Sequence, residues 1–232
     1  MAKDIQQALE ESLFKDLYEK LSTKLKVTLD VQFRMNPVIS KLINNLYYQN
    51  ITIEDYFTDK DYVLSPILKS VTWIDTNNSP NKSESKEENS FKNYEELNQI
   101  NKQLDRINDY LKTKKRKKSV GIISGYDAQK NLLLDKVNRD YEFLDIEIDN
   151  VDAFQGSEKD IIIYSIVRSN DSSSLGFLKD ERRLNVSLSR AKEHLIIIGD
   201  SEVSEYYPLE NNPFTRLLKY IIDNPLDCAL LM

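Results

Sequence analysis

Arginines beside polar turns are the residues of this 232-residue chain best placed to do chemistry. QFRMNP (32–37) puts Phe33 and Arg34 where a short apolar run meets a helix start. FQGSEKD (154–160) sets Gly156 between Gln155 and the Ser157–Glu158 step. RRLNVSLSRAK (182–192) carries Arg183 and Arg190. A guanidinium is the side chain best shaped to hold a phosphate through two parallel hydrogen bonds. Arg34 could equally cap a structural carboxylate or reach a phosphate near the helix N-terminus. Gly156 permits a tight turn and close approach of another group. Gln155 offers two donors and an acceptor, and Glu158 suits ribose hydroxyls; a plain solvated turn is the alternative. As a helix, 182–192 stacks Leu184, Leu188 and Ala191 on one face, with Arg183, Ser187 and Arg190 as a polar stripe beside it. Spacing alone favours arginines that snorkel over apolar neighbours.

Several chemistries are missing. The five glycines, at 121, 125, 156, 176 and 199, form neither a GxxxxGK[ST] phosphate loop nor a GxGxxG fingerprint. One histidine, His194, precludes a site built from several His ligands, and one cysteine, Cys228, precludes an internal disulfide and fits a reducing cytoplasm. No apolar run is long enough to cross a membrane, and no signal peptide is visible at the start. The net charge of −6 argues weakly against nucleic-acid binding. KTKKRKK (112–118), however, packs six positive charges into seven positions, as a solvated helix end or a phosphate-contacting edge.

The positioning elements follow from periodicity. Helices are expected over 4–22, from Pro37 through Tyr47, from Tyr94 to Leu111, from Asp127 to about Arg139, over 182–192 and near 214–222. Short apolar strands are expected at 27–33, 70–75, 119–125, 144–149, 161–167 and 194–199, the first of them buried. Residues 76–90, polar and unpatterned, read as a mobile surface loop. Strands alternating with amphipathic helices predict an α/β fold, a mostly parallel sheet with helices on both faces. Polar groups following strands, including Ser124, Tyr126, Asn150 and Arg168–Asn170, would line its binding rim. His194, Trp73 and Cys228 are expected to be structural, and Asp200 a turn residue.

Taken in order, QFRMNPVISKLINNLYYQN, VGIISGYDAQKNLL, VDAFQGSEKDIIIYSIVRSN and GFLKDERRLNVSLSRAKEHLIIIGD resemble the fourth to sixth motifs of superfamily-one helicases, with the segment between the fourth and fifth. The nearest branch is that of the nonsense-mediated-decay and senataxin-type helicases, and the resemblance covers nearly the whole chain. It implies one RecA-like domain over 1–232, the second of a two-domain motor, with residues 1–22 joining from a first domain that supplies the phosphate loop and the Mg2+ site. ATP with Mg2+ is the implied cofactor. That first domain and single-stranded DNA or RNA are the implied partners, with 5′ to 3′ polarity. The resemblance gives Arg34 and Arg190 to the γ-phosphate, and Phe33, in place of the usual Tyr, to adenine stacking. It gives Gln155 and Gly156 to coupling, Glu158 to nucleotide contact, and Ser124, Tyr126 and Asn150 to the strand backbone. Asn150 replaces a more usual Thr, and Gly125 a more usual Pro. The chain alone should neither hydrolyse ATP nor bind it tightly. A non-catalytic binding module, or a translocase that does not unwind, are the competing readings.

Overall fold

The computed structural model describes residues 17–18, 20–27, 29–48, 53–56, 62–138, 140–206 and 212–232. A six-stranded sheet runs through the molecule in the order β10-β3-β9-β8-β6-β7, every pair parallel. Its strands are β3 (Val71–Asp75), β6 (Lys118–Ser124), β7 (Leu144–Asn150), β8 (Lys159–Ser165), β9 (Ala191–Gly199) and β10 (Cys228–Leu231). Two-residue strands β1 (Val31–Gln32) and β2 (Glu54–Asp55) pair apart from it, as does the hairpin β4 (Ser85–Glu87) and β5 (Ser90–Lys92).

The central strands are apolar throughout because both sheet faces are covered. Ile162 and Tyr164 of β8 face one core, together with apolar residues of α1 (Pro37–Tyr47), α4 (Glu181–Leu188) and α5 (Pro213–Asp223). Ile161 and Ile163 face the other, against α2 (Tyr94–Lys114) and α3 (Asp127–Lys136). The period-3.6 stripe of α2, Leu97, Ile100, Leu104, Ile107 and Leu111, is buried as its spacing requires. Trp73 is fully buried and donates its indole N–H to the Gly199 carbonyl at 2.9 Å. His194 is also fully buried, and burial pulls its pKa down to about 4, so it is neutral near pH 7.

One connection sets the site. Asn150 pairs with Ser124, which pairs with Ser165, so the end of β7 is level with the end of β8. The chain must therefore return to the amino edge within residues 151–158, without a crossover helix. It does so over the α4 side of the sheet, anchored by Phe154, which is fully buried. The seat exists because Gly121 of β6 has no side chain: a Cβ there would lie 2.8 Å from Phe154 Cε1 and 2.7 Å from Ile162 Cδ1.

Three expectations differ. The 27–33 strand shrinks to Val31–Gln32, and Val27 (83%) and Leu29 (88%) are exposed, because apolar β-branched residues supply propensity but no partner. The 76–90 loop is partly the β4–β5 hairpin, with the Glu84 side chain only 8% exposed on Arg168. Helix 182–192 stops at Leu188, because Arg190 and Ala191 already join the β8–β9 ladder. The helix expected over 4–22 lies almost wholly outside the described residues.

Gly121→Ala should displace Phe154 or Ile162 and destabilise the chain by about 1–3 kcal/mol. Urea denaturation of the 232-residue chain measures it; an unchanged midpoint would mean that Phe154 is not seated on Gly121.

Candidate functional site: two edges of one sheet

At the amino edge, three segments meet around two guanidiniums. Gln32 shapes the first: its Oε1 accepts the amides of Arg34 (2.9 Å) and Met35 (2.7 Å), while its Nε2 donates to Asp55 Oδ1 (2.6 Å). This turn presents Arg34. Asn36 then caps α1 by accepting the Val38 amide, and its Nδ2 donates to the Glu193 carbonyl, fixing the turn to β9. The crossover supplies the second segment, and the Ser189–Arg190 turn after α4 the third.

Arg34 Nε donates to Glu158 Oε2 at 2.7 Å and Nη1 to the Ser189 carbonyl at 3.2 Å. Arg190 Nη2 donates to Ser189 Oγ (3.1 Å), Nη1 to the Ser157 carbonyl (3.3 Å) and Nε to the Val186 carbonyl (3.0 Å). Burial, and then the like charge of Arg34, pull the Arg190 pKa below its ordinary value, although arginine stays charged. Beside the pair opens a cleft of about 600 Å³ lined by Phe33, Arg34, Tyr62, Glu158, Asp160 and Lys192. Phe33 is 59% exposed, its ring 4.5 Å from that of Tyr56. Asp160 staples the amino ends of three strands. It accepts the Ser119 amide and hydroxyl at 2.9 Å each and pairs with Lys192 at 3.2 Å. Burial would raise its pKa, but those partners hold it below the ordinary value.

The sequence-expected residues thus divide. Phe33, Arg34, Glu158 and Arg190 come together. Glu158, expected on a ribose, is held here by Arg34, in an exposed and therefore exchangeable pair. Gln155 and Gly156 are exposed on the crossover, and Gly156 has φ +91° with open space where a Cβ would stand. The expected Arg183–Ser187–Arg190 stripe does not exist. Ser187 is buried against its own helix, donating to the Arg183 carbonyl, and Arg183 pairs with Asp152.

Two residues expected at the carboxyl edge have their side chains turned inward. Ser124 is fully buried, its hydroxyl accepting the Tyr126 amide, so its side chain does not reach solvent. Tyr126 is 2% exposed; its hydroxyl donates to the Leu175 carbonyl and accepts from Arg168 Nη1. Asn150 is half-buried and lines a cleft with Arg183 and Phe177. The basic run, by contrast, sits at the end of α2 and the start of β6, where Lys118 pairs with Glu193. Sequence reading missed the polar knot behind the carboxyl edge. Glu96 is fully buried, accepting Ser165 Oγ (2.5 Å) and the Val167 amide (2.7 Å). Burial lifts its pKa to about 8 against those bonds, which lower it.

The parallel sheet with helices on both faces is that of a RecA-like α/β domain. Residues 9–202 match the family described as AAA domain, and the chain belongs to that family, in the form found in superfamily-one helicases. The Regulator of nonsense transcripts 1 homolog of Neurospora crassa is 32% identical over 207 residues, covering 84% of this chain and 18% of that protein. The ATP-dependent helicase NAM7 of Saccharomyces cerevisiae is 32% identical over 210 residues, 83% of this chain and 21% of that protein. The DNA polymerase alpha-associated DNA helicase A of the same yeast is 49% identical over 85 residues, 37% of this chain and 12% of that protein. The chain thus spans about a fifth of the length of the relatives it matches over most of its own length.

Glu96 gives a pH dependence of known sign. Its folded pKa exceeds the ordinary 4.5, so its contribution is complete below about pH 4.5 and lost as pH rises toward 8. Glu96→Gln should remove that loss, raising the melting temperature at pH 9 relative to wild type by several degrees, at about 2–4 °C per kcal/mol for this size. Parallel melting curves of the two proteins from pH 5 to 9 would contradict it.

Proposed function

We propose that this chain is the second RecA-like domain of an ATP-driven nucleic-acid motor. It supplies Arg34 and Arg190 to the γ-phosphate of ATP bound in a cleft shared with a first domain. The observation that carries this reading is the convergence of both guanidiniums on Ser189, beside a cleft lined by Arg34 and by Phe33, whose ring packs on Tyr56. Two like charges held together by the fold favour an anion of high charge between them. The neighbouring rings suit a base. Relatives named as ATP-dependent helicases support the same assignment.

The chain's residues fit the nucleotide's phosphate and base better than its metal. The cleft carboxylates Glu158 and Asp160 are each paired with a cation, Arg34 and Lys192. Mg2+ is therefore assigned to the first domain. Bound there, ATP with Mg2+ would supply the phosphoryl group. This chain's part is to hold Arg34 and Arg190 fixed while charge develops on the transferring group, and to keep Phe33 beside the base. At the opposite edge, Asn150 offers a polar contact to the backbone of single-stranded DNA or RNA, beside Arg183 in an exposed and exchangeable pair with Asp152.

An arginine finger is typically worth about 10³–10⁵ in rate. Arg190→Ala in the full-length protein should lose turnover by that order while fluorescent-nucleotide affinity changes only a few fold. Retained turnover would remove Arg190 from the role. The 232-residue chain alone should show no ATP turnover, since half of the site lies elsewhere; a colorimetric phosphate assay decides.

A further inference from the structure

We propose that Phe177 is a stacking platform for a base of the single strand at the carboxyl edge, an inference that rests on the strand-binding reading above. A lone exposed aromatic is commonplace, but this one has a built setting. Phe177 is 64% exposed, while its neighbours Leu175 (2%) and Leu178 (5%) are buried, so the backbone on either side is pinned. Its ring stands between two clefts, of about 220 Å³ and about 280 Å³, which share Gly125 and Asp127. Tyr126 packs beside it, ring centroids 6.2 Å apart.

The turn that carries the ring is rigid. Tyr126 donates its hydroxyl proton to the Leu175 carbonyl at 3.3 Å and accepts from Arg168 Nη1 at 3.1 Å. Arg168 lies over the Phe91 ring (4.4 Å) and donates from Nε to Glu84 at 2.8 Å. Gly176, at φ +57°, rests directly on this arginine, and a Cβ there would collide with its guanidinium and lie 2.9 Å from the Tyr126 hydroxyl. The ordering cost of presenting an aromatic is thus met on folding, before any ligand arrives.

Both clefts hold Asp127, but only one of them holds a cation. That one has Asn150 and Arg183, groups suited to a phosphate, with Arg183 in an exposed pair with Asp152 that a phosphate can replace. The other holds Glu87, Glu88 and Asn89, which disfavour phosphate but can accept protons from exocyclic amino groups. A strand crossing the ring would run its backbone on the Arg183 side and turn base edges toward the hairpin. A flat ring with a cation on one flank and acceptors on the other fits a nucleobase better than an aliphatic side chain.

Base–aromatic stacking is worth roughly 1–3 kcal/mol per base. Fluorescence anisotropy of the full-length protein with a labelled mixed-sequence single strand tests it, beside the same strand made abasic. Phe177→Ala should weaken binding about 5–100-fold on the normal strand and far less on the abasic one. Phe177→Trp should stay close to wild type, and nucleotide affinity should not move in either variant. Equal affinity of Phe177→Ala and wild type would overturn the inference, as would an equal loss on both strands. Failure of the wild-type full-length protein to bind single strands would instead defeat the strand-binding reading, and this inference with it.

Discussion

Residues 151–158 must carry the chain from the carboxyl edge of β7 back to the amino edge of β8, past the intervening strand β6, and both edges take their shape from how this is done. Parallel connections usually take a dozen or more residues and a helix. Here a short turn lies flat on the sheet, held by Phe154 in the space that Gly121 leaves. Its first residues flank Asn150 and place Asp152 on Arg183; its last place Ser157 on Arg190 and Glu158 on Arg34. A segment this short, pinned at its middle, has little slack. A displacement at one end is therefore felt at the other, provided the segment has a second arrangement to adopt.

Burial decides what the ion pairs at the two edges can do. Arg34 and Glu158 are 34% and 45% exposed, so their pair is worth about 0–1 kcal/mol and exchanges readily for another anion. Arg168 and Glu84 are 5% and 8% exposed, and removing either partner would strand a buried charge at about 3–5 kcal/mol. The same two residue types thus make an adaptable contact at one edge and a fixed strut at the other. Phe33 beside the first pair and Phe177 above the second are exposed in different senses: one sits at an open wall of the cleft, the other on a rigid pedestal.

The sheet and its helices were legible because periodicity reports burial directly. Val–Ile runs with both faces apolar became central strands, and the α2 stripe became a core face. The phosphate role proposed for the arginine pair came chiefly from motif resemblance, since the Arg190 spacing by itself suggested a helical stripe that the structure replaces with a turn. Polar residues after strands, Asn150 among them, do lie at the carboxyl edge, but nothing in their pattern placed Arg34, Glu158 and Arg190 together at the opposite, amino edge. Periodicity says which residues follow a strand but not which side chains turn inward, as Ser124 and Tyr126 do. Asn93 and Glu96 carry the spacing of a capping box. Asn93 does cap α2, but its amide donates to Gln129 and Glu96 turns into the core. A local pattern could not disclose that, because the partners are about seventy positions away at Ser165 and Val167.

That knot explains how the carboxyl edge is built. Val167 has φ +73°, a left-handed conformation that costs a β-branched residue on the order of 1–3 kcal/mol. The strain persists because Glu96 accepts the Val167 amide and Asn93 Nδ2 donates to its carbonyl at 3.2 Å. With that conformation Val167 joins the core that Tyr164 and Ile166 face, breaking the alternation of β8, and Arg168 follows it beneath the Gly176 turn. The glutamate is thereby tied to the exposed ring: Glu96 fixes Val167, Arg168 is the next residue, and Arg168 with Tyr126 supports the turn bearing Phe177. An edge held so stiffly suits a surface that must grip a flexible strand, since the entropy lost on contact then falls on the ligand alone.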